Sequence, residues 1–153
     1  MRRNSVMVLA IGLVLLVGAF LFVARDSTVA LGDLANFPGS RPAPDGPGVV
    51  YDQRAGESFT FSVSLRQEGA LGVSGISSSL VLPFVQKMAA EVIPSQLSKG
   101  EQTNLKVTAT FGACPASGAD AVTITSMPVS YRVGFLQQTS DVELPGPIRF
   151  NPC

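Results

Sequence analysis

From Ser5 to Ala24 the chain is uncharged and mostly apolar, built mainly on leucine, valine, isoleucine and phenylalanine, with Ser5, Gly12, Gly18 and three alanines as the small interruptions. As a helix such a run reaches about 30 Å, the thickness of the hydrocarbon core of a bilayer. The run is therefore read as a transmembrane helix over 5–24. That reading fixes the compartment, redox state and topology expected of everything downstream.

Two fates are open for the segment: an uncleaved signal anchor, or a cleaved signal peptide that would release the domain. The apolar core of a cleaved peptide is normally about 7 to 15 residues, shorter than this run. The best small-residue cleavage candidate, Thr28, Val29 and Ala30, lies beyond the charges of Arg25 and Asp26. Both points favour retention. Arg2 and Arg3 precede the run and Arg25 alone follows it closely. Basic residues stay on the cytoplasmic side, so the amino terminus is expected inside and the C-terminal domain in an extracytoplasmic position at the cell membrane.

Charge and composition narrow the chemistry. The chain has 11 basic and 11 acidic residues; setting aside Arg2, Arg3, Arg25 and Asp26 leaves a formal charge of minus two beyond the membrane segment. That balance offers no footprint for nucleic acid and no basic patch for anionic lipid. Histidine is absent from the sequence. With it go the Ser/His and Cys/His nucleophilic pairs and the commonest transition-metal ligand. Asp33, Asp45 and Asp52 lack the alternating spacing of a calcium loop, and Lys87, Lys99 and Lys106 have no serine three residues before them. No catalytic, metal or cofactor residue is nominated. The chain is not expected to be an enzyme.

Residues 37–48 hold Pro38, Gly39, Pro42, Pro44, Gly46, Pro47 and Gly48. That density disfavours regular structure, so 25–48 is read as a Pro/Gly-rich linker able to hold a domain some 30 Å off the membrane at roughly 3 Å per residue. Within it Ala30, Leu31, Leu34 and Phe37 fall near one helical face, as an extra turn or a disordered stalk.

Residues 49–153 have the size of one domain. Phe59, Phe61, Val63 and Leu65 alternate with Thr60, Ser62, Ser64 and Arg66, the period of a half-buried strand. Leu105, Val107, Ala109 and Phe111 repeat the pattern after a turn at Gly100. Weaker strands are expected at 122–125, at 129–135 and at 142–150, with Pro128, Pro145 and Pro147 marking edges or bulges. A parity change between Leu71 and Leu82 predicts a bulge near Gly75. The segment 84–93 reads either as a helix, with Phe84, Met88 and Val92 on one face, or as a strand or irregular crossover.

Together these signals predict an all-β fold: an antiparallel sandwich of about seven strands, the plan of immunoglobulin-type domains. Over residues 49–153 the order, with its Gly-Glu turn before the Phe59 strand, resembles the broad immunoglobulin-like and fibronectin-type-III-like β-sandwich superfamily. The likeness is one of architecture, since the chain has no tryptophan and its cysteines are not spaced for an inter-sheet bridge.

Cys114 follows the Leu105 to Phe111 strand and Cys153 ends the chain. If consecutive strands alternate in direction, both lie at one pole, and an extracytoplasmic disulfide Cys114–Cys153 is expected. The alternative, a reactive thiol at Cys114, lacks a neighbouring base or cation in Gly112, Ala113 and Pro115. The expected role is a non-catalytic binding or interaction module at the membrane, facing a protein or glycan, or else an accessory subunit of a larger membrane complex. Loops 112–120 and 137–141, the latter around Gln137, Gln138 and Asp141, are the candidate presenting surfaces.

Overall fold

The structure is a computed structural model that describes residues 2–114 and 120–153, with side chains described from Ala10 onward. One helix, α1 (Arg2–Arg25), leads into ten strands: β1 (Thr28–Asn36), β2 (Arg41–Pro42), β3 (Val49–Asp52), β4 (Ser58–Glu68), β5 (Val73–Ser78), β6 (Val85–Ile93), β7 (Gln96–Leu97), β8 (Gln102–Phe111), β9 (Val122–Val133) and β10 (Leu136–Asn151). They form a two-sheet β-sandwich, with orders β1-β4-β8-β6 and β2-β3-β10-β9-β5-β7.

The two alternating segments build the centre of the first sheet. Phe59, Phe61 and Val63 stand opposite Ala109, Val107 and Leu105, and all six are buried. Across from them the second sheet contributes Met127, Val129, Tyr131 and Val133 from β9 and Val142, Ile148 and Phe150 from β10. At one end Tyr51, Phe59, Phe111 and Phe150 form an aromatic cluster, with Phe59 and Phe111 ring centroids 4.7 Å apart. The first sheet has the A-B-E-D order of immunoglobulin-type sandwiches and β10-β9-β5 the G-F-C order, so the fold is consistent with that architecture. Among the described residues pairing is antiparallel except between β3 and β10, which run parallel.

Several expectations are refined. Of the ambiguous segment 84–93, Val85–Ile93 is strand β6, paired with β8 with a register shift between Val85 and Lys87. The expected bulge falls at Gly75, where the pairing of β5 with β9 slips between Ser74 and Ser77 and φ is +61°. The weak strands expected at 122–125 and 129–135 merge into one strand, β9, that ends at Val133, and 137–141 is not a turn but lies at the start of β10. Pro128 is accommodated in β9 because the pairing with β5 stops one residue away, at Ser78 and Val129.

The larger correction concerns 25–48. Residues expected in a linker enter the sandwich instead: β1 pairs with β4 from Thr28 against Glu68 to Asn36 against Ser62, and β2 pairs with β3. Ala30, Leu31 and Leu34 lie in β1 and not on a helical turn, Phe37 falls just beyond the strand, and Val29 is core. The first sheet thereby acquires its outer strand from a segment the proline-rich composition had disguised.

The helix spans 24 residues and follows directly into β1. The expected membrane anchor over 5–24 finds no support at this level. The side chains of 5–9 lie outside the described set, and among the described residues no helix is long and apolar enough to cross a membrane.

Candidate functional site

The junction between α1 and the tip of the β9–β10 hairpin is where apolar side chains, a cleft and converging polar contacts come together. The hairpin closes in two residues, Gly134 and Phe135, between the paired Val133 and Leu136. Gly134 has φ +60° and Phe135 a negative φ, the pattern of a type II′ turn, whose twist matches that of the flanking strands. The turn projects the Phe135 ring outward, 74% exposed, and stacks it on Phe20 of the helix with centroids 5.2 Å apart.

Beside this stack the helix is locked to the sandwich. Ala24 is fully buried in the core and Phe20, one turn earlier on the same face, packs against it. The Gln138 Nε2 amide donates to the Ala24 carbonyl at 3.0 Å, and the buried Ser27 hydroxyl accepts from the Leu71 amide at 3.0 Å. A second clamp sits at the same pole. Buried Gln67 donates to the carbonyls of Glu68 and Leu71 and accepts from the Gly100 amide, joining the β4–β5 and β7–β8 turns.

Between helix and hairpin lies an open cleft of about 560 Å³, lined by Gly18, Leu21, Phe22 and Leu136, with Arg25, Gln137 and Gln138 completing it. On the helix side the apolar surface continues. Ile11, Leu13, Val14, Leu15, Leu16, Val17, Leu21 and Phe22 are each 40–72% exposed. These side chains form a run of exposed apolar surface along the helix.

The strongest exposed polar constellation is elsewhere and is structural. Arg41 on β2 grips Asp52 on β3 through two hydrogen bonds of 3.0 and 3.1 Å, and Asn151 on β10 donates to the same carboxylate at 3.0 Å. Hydrogen bonds from Arg41 and then Asn151 hold the Asp52 carboxyl below its ordinary range. A carboxylate so committed ties three strands together and has no proton to exchange near neutrality. Among the described residues no group of three acidic or cysteine side chains gathers as a metal site.

Of the residues singled out in the sequence, Cys114 and Cys153 are bonded to each other, with Cα atoms 5.6 Å apart, at the pole opposite the helix. Loop 112–120 adjoins that bridge, and its residues 115–119 lie outside the described residues. Gln137 and Gln138 line the junction cleft, whereas Asp141 stands exposed further along β10. Phe20 and Phe135 were not legible as a pair. The parity of Val129, Tyr131 and Val133 continues numerically into Phe135, hiding the turn; Gly134 is the signal that breaks it. No protein-family model matches the chain, and no curated protein matches it either.

Proposed function

We propose that the chain is a non-catalytic interaction module held at a membrane by its N-terminal helix over 5–24, with the amino terminus cytoplasmic and the sandwich extracytoplasmic. The observation that carries this reading is the unbroken band of exposed apolar side chains from Ile11 to Phe22, joined without an intervening linker to a sandwich whose own apolar residues are largely interior. Such a helix surface is unfavourable in water and suited to lipid. The flanking arginines support the orientation, and the disulfide between Cys114 and Cys153 suits an oxidising exterior. The test is topological. In membranes bearing the full-length chain, externally added protease should remove the sandwich, and the chain should resist alkaline extraction; release of the intact chain by alkali would refute the anchor.

An accessory-subunit reading is favoured by one further observation. Because Ala24 is buried in the sandwich core and Gln138 holds its carbonyl, helix and sandwich form one body. Partners of the helix within the bilayer and partners of the sandwich outside it are then presented in a fixed relation. Replacing 5–19 with an unrelated transmembrane sequence, keeping Phe20 to Arg25, separates the two readings. Loss of co-purifying proteins supports the subunit, and their retention supports the simple module.

A further inference from the structure

We infer that the β9–β10 hairpin tip, Phe135 with Leu136, is a second membrane contact that enters the lipid interface alongside the helix and fixes the orientation of the sandwich on the bilayer. The inference rests on the membrane reading above. It adds a lipid-binding surface in the β domain itself.

The argument begins with depth. Phe135 stacks on Phe20, and Phe20 precedes Arg25, the charged residue that ends the helix, by five positions. At 1.5 Å per residue that places the stack about 7.5 Å toward the apolar part of the helix from its charged end. This is within the roughly 5–10 Å to which apolar groups of interfacial segments sink into the boundary between headgroups and acyl chains. With the helix along the membrane normal, a surface that cuts it at Arg25 leaves the hairpin tip below it.

Polarity along the junction runs the same way. Gly18, Leu21 and Phe22 line the cleft toward the helix interior, and Leu136 faces them at the start of β10. Arg25, Gln137 and Gln138 complete the cleft, and Gln138 is bonded to Ala24 nearer the sandwich. An apolar floor ending at a guanidinium is the order of groups in a phospholipid, acyl chain first and phosphate next. The apolar helix surface and the tip are continuous, so one occupant, the lipid, covers both. At the tip Gly134 adds no side chain, and the strand pairing of Val133 with Leu136 satisfies the backbone closest to the turn.

The geometry is also stiff. A Cβ on Gly134 would come within 2.9 Å of the Phe20 ring, so helix and turn are in close contact. With Ala24, Ser27 and Gln138 fixed as well, the tip cannot swing away from the helix without breaking buried contacts.

The sequence contains no tryptophan, so a single introduced indole reports its own surroundings. We would place it by Phe135→Trp, by Phe22→Trp on the helix and by Val81→Trp. Val81 is 81% exposed and lies between Ser78, paired with Val129, and Val85, paired with Phe111 near the disulfide pole. The full-length variants are reconstituted in phosphatidylcholine vesicles with and without acyl-brominated lipid. The inference expects the Phe135→Trp emission to be quenched at least half as strongly as that of Phe22→Trp, while Val81→Trp is unaffected. Leu136→Trp serves as the second reporter and should follow Phe135→Trp. If Phe22→Trp is quenched and both tip variants behave like Val81→Trp, the tip contact is wrong and the anchor stands. If Phe22→Trp itself escapes quenching, the membrane reading falls and this inference with it. Tip indoles shielded from both brominated lipid and aqueous acrylamide would mean a protein surface covers the tip, which also overturns it.

Discussion

The Gln138 side-chain amide donates a 3.0 Å hydrogen bond to the carbonyl oxygen of Ala24. The last carbonyls of a helix have no partner within it; the buried Ala24 oxygen is met instead by the Ser27 amide at 3.3 Å and by Gln138. The same side chain accepts from the Tyr131 hydroxyl at 3.3 Å, tying the helix end to the core of β9. Gln138→Leu keeps the bulk and removes both contacts. Because the Ala24 carbonyl keeps the Ser27 amide and the Tyr131 hydroxyl keeps Ser140, it should cost about 0.5–1.5 kcal/mol for each hydrogen bond lost. Equilibrium unfolding of the detergent-solubilised chain measures this, and amide exchange should rise at 24–28 before it rises in β4 or β8.

Gly134 and Gly75 share a left-handed backbone, at φ +60° and +61°, but differ in surroundings. A Cβ at Gly134 meets the Phe20 ring at 2.9 Å, whereas one at Gly75 meets nothing within 4 Å. Each alanine substitution should cost about 1–2 kcal/mol for backbone strain alone. Only Gly134→Ala should also displace Phe20, so it alone should speed proteolysis at the helix junction. Equal protease sensitivity in the two variants would show that the Phe20 contact is not holding the helix.

What could be read from the sequence follows from burial. Phe59 to Leu65 and Leu105 to Phe111 were legible because each strand has one face in the core and one in solvent, which writes a period of two into the residues. β1 was not legible for the opposite reason. It is an outer strand with its second half exposed, and its register slips between Leu31 and Ala35, so no single parity survives. The slip is held by Ser64, whose hydroxyl bonds both the amide and the carbonyl of Leu34, a contact between residues thirty positions apart that no local pattern records. In β10, Pro145 and Pro147 look like a break, yet they sit within the register shift between Glu143 and Ile148, and pairing with β9 resumes beyond it. The junction site was hidden because it depends on a turn bringing Phe135 to Phe20, more than a hundred residues away.

The bridge between Cys114 and Cys153 joins residues separated by 39 positions and pins the end of β10. In the chain-entropy account a loop of that length stabilises by about 4 kcal/mol. The double variant Cys114→Ser/Cys153→Ser should lose that amount and fray first at 148–153. Alkylation of the unreduced folded protein followed by mass measurement should find no free thiol. Labelling of both cysteines without reductant would contradict the bridge.

Asp52 links β2, β3 and β10 through Arg41 and Asn151. Its carboxyl is held below the ordinary range chiefly by the hydrogen bond from Arg41, with Asn151 next. A depressed carboxylate contributes stability that is present above its unfolded value, about 3.9, and is lost as pH falls through the lower folded value. The site is half exposed, so the contribution is small and screened by salt. Acid unfolding of Asp52→Asn should therefore show a shallower loss of stability below about pH 4 than the parent chain. The difference should shrink in high salt. Identical acid limbs would remove Asp52 from the account.

Tyr51 responds at the other end of the pH scale. Its ring is buried against Phe59 and Phe150, and its hydroxyl donates to the Thr60 carbonyl at 3.2 Å. Burial pushes the phenol up to about 12, against a smaller opposing effect of a hydrogen bond with Ser40. Because the folded value is raised, the associated stability is complete below about pH 10, the unfolded value, and is lost as pH climbs toward 12. Tyr51→Phe should flatten the alkaline limb of the stability profile between those limits. In an absorbance titration of the folded chain at 295 nm, that variant should lose the phenolate transition at about 12. A Tyr51 that ionised near pH 10 in the folded chain would place its ring in water and dissolve the aromatic cluster inferred around Phe150.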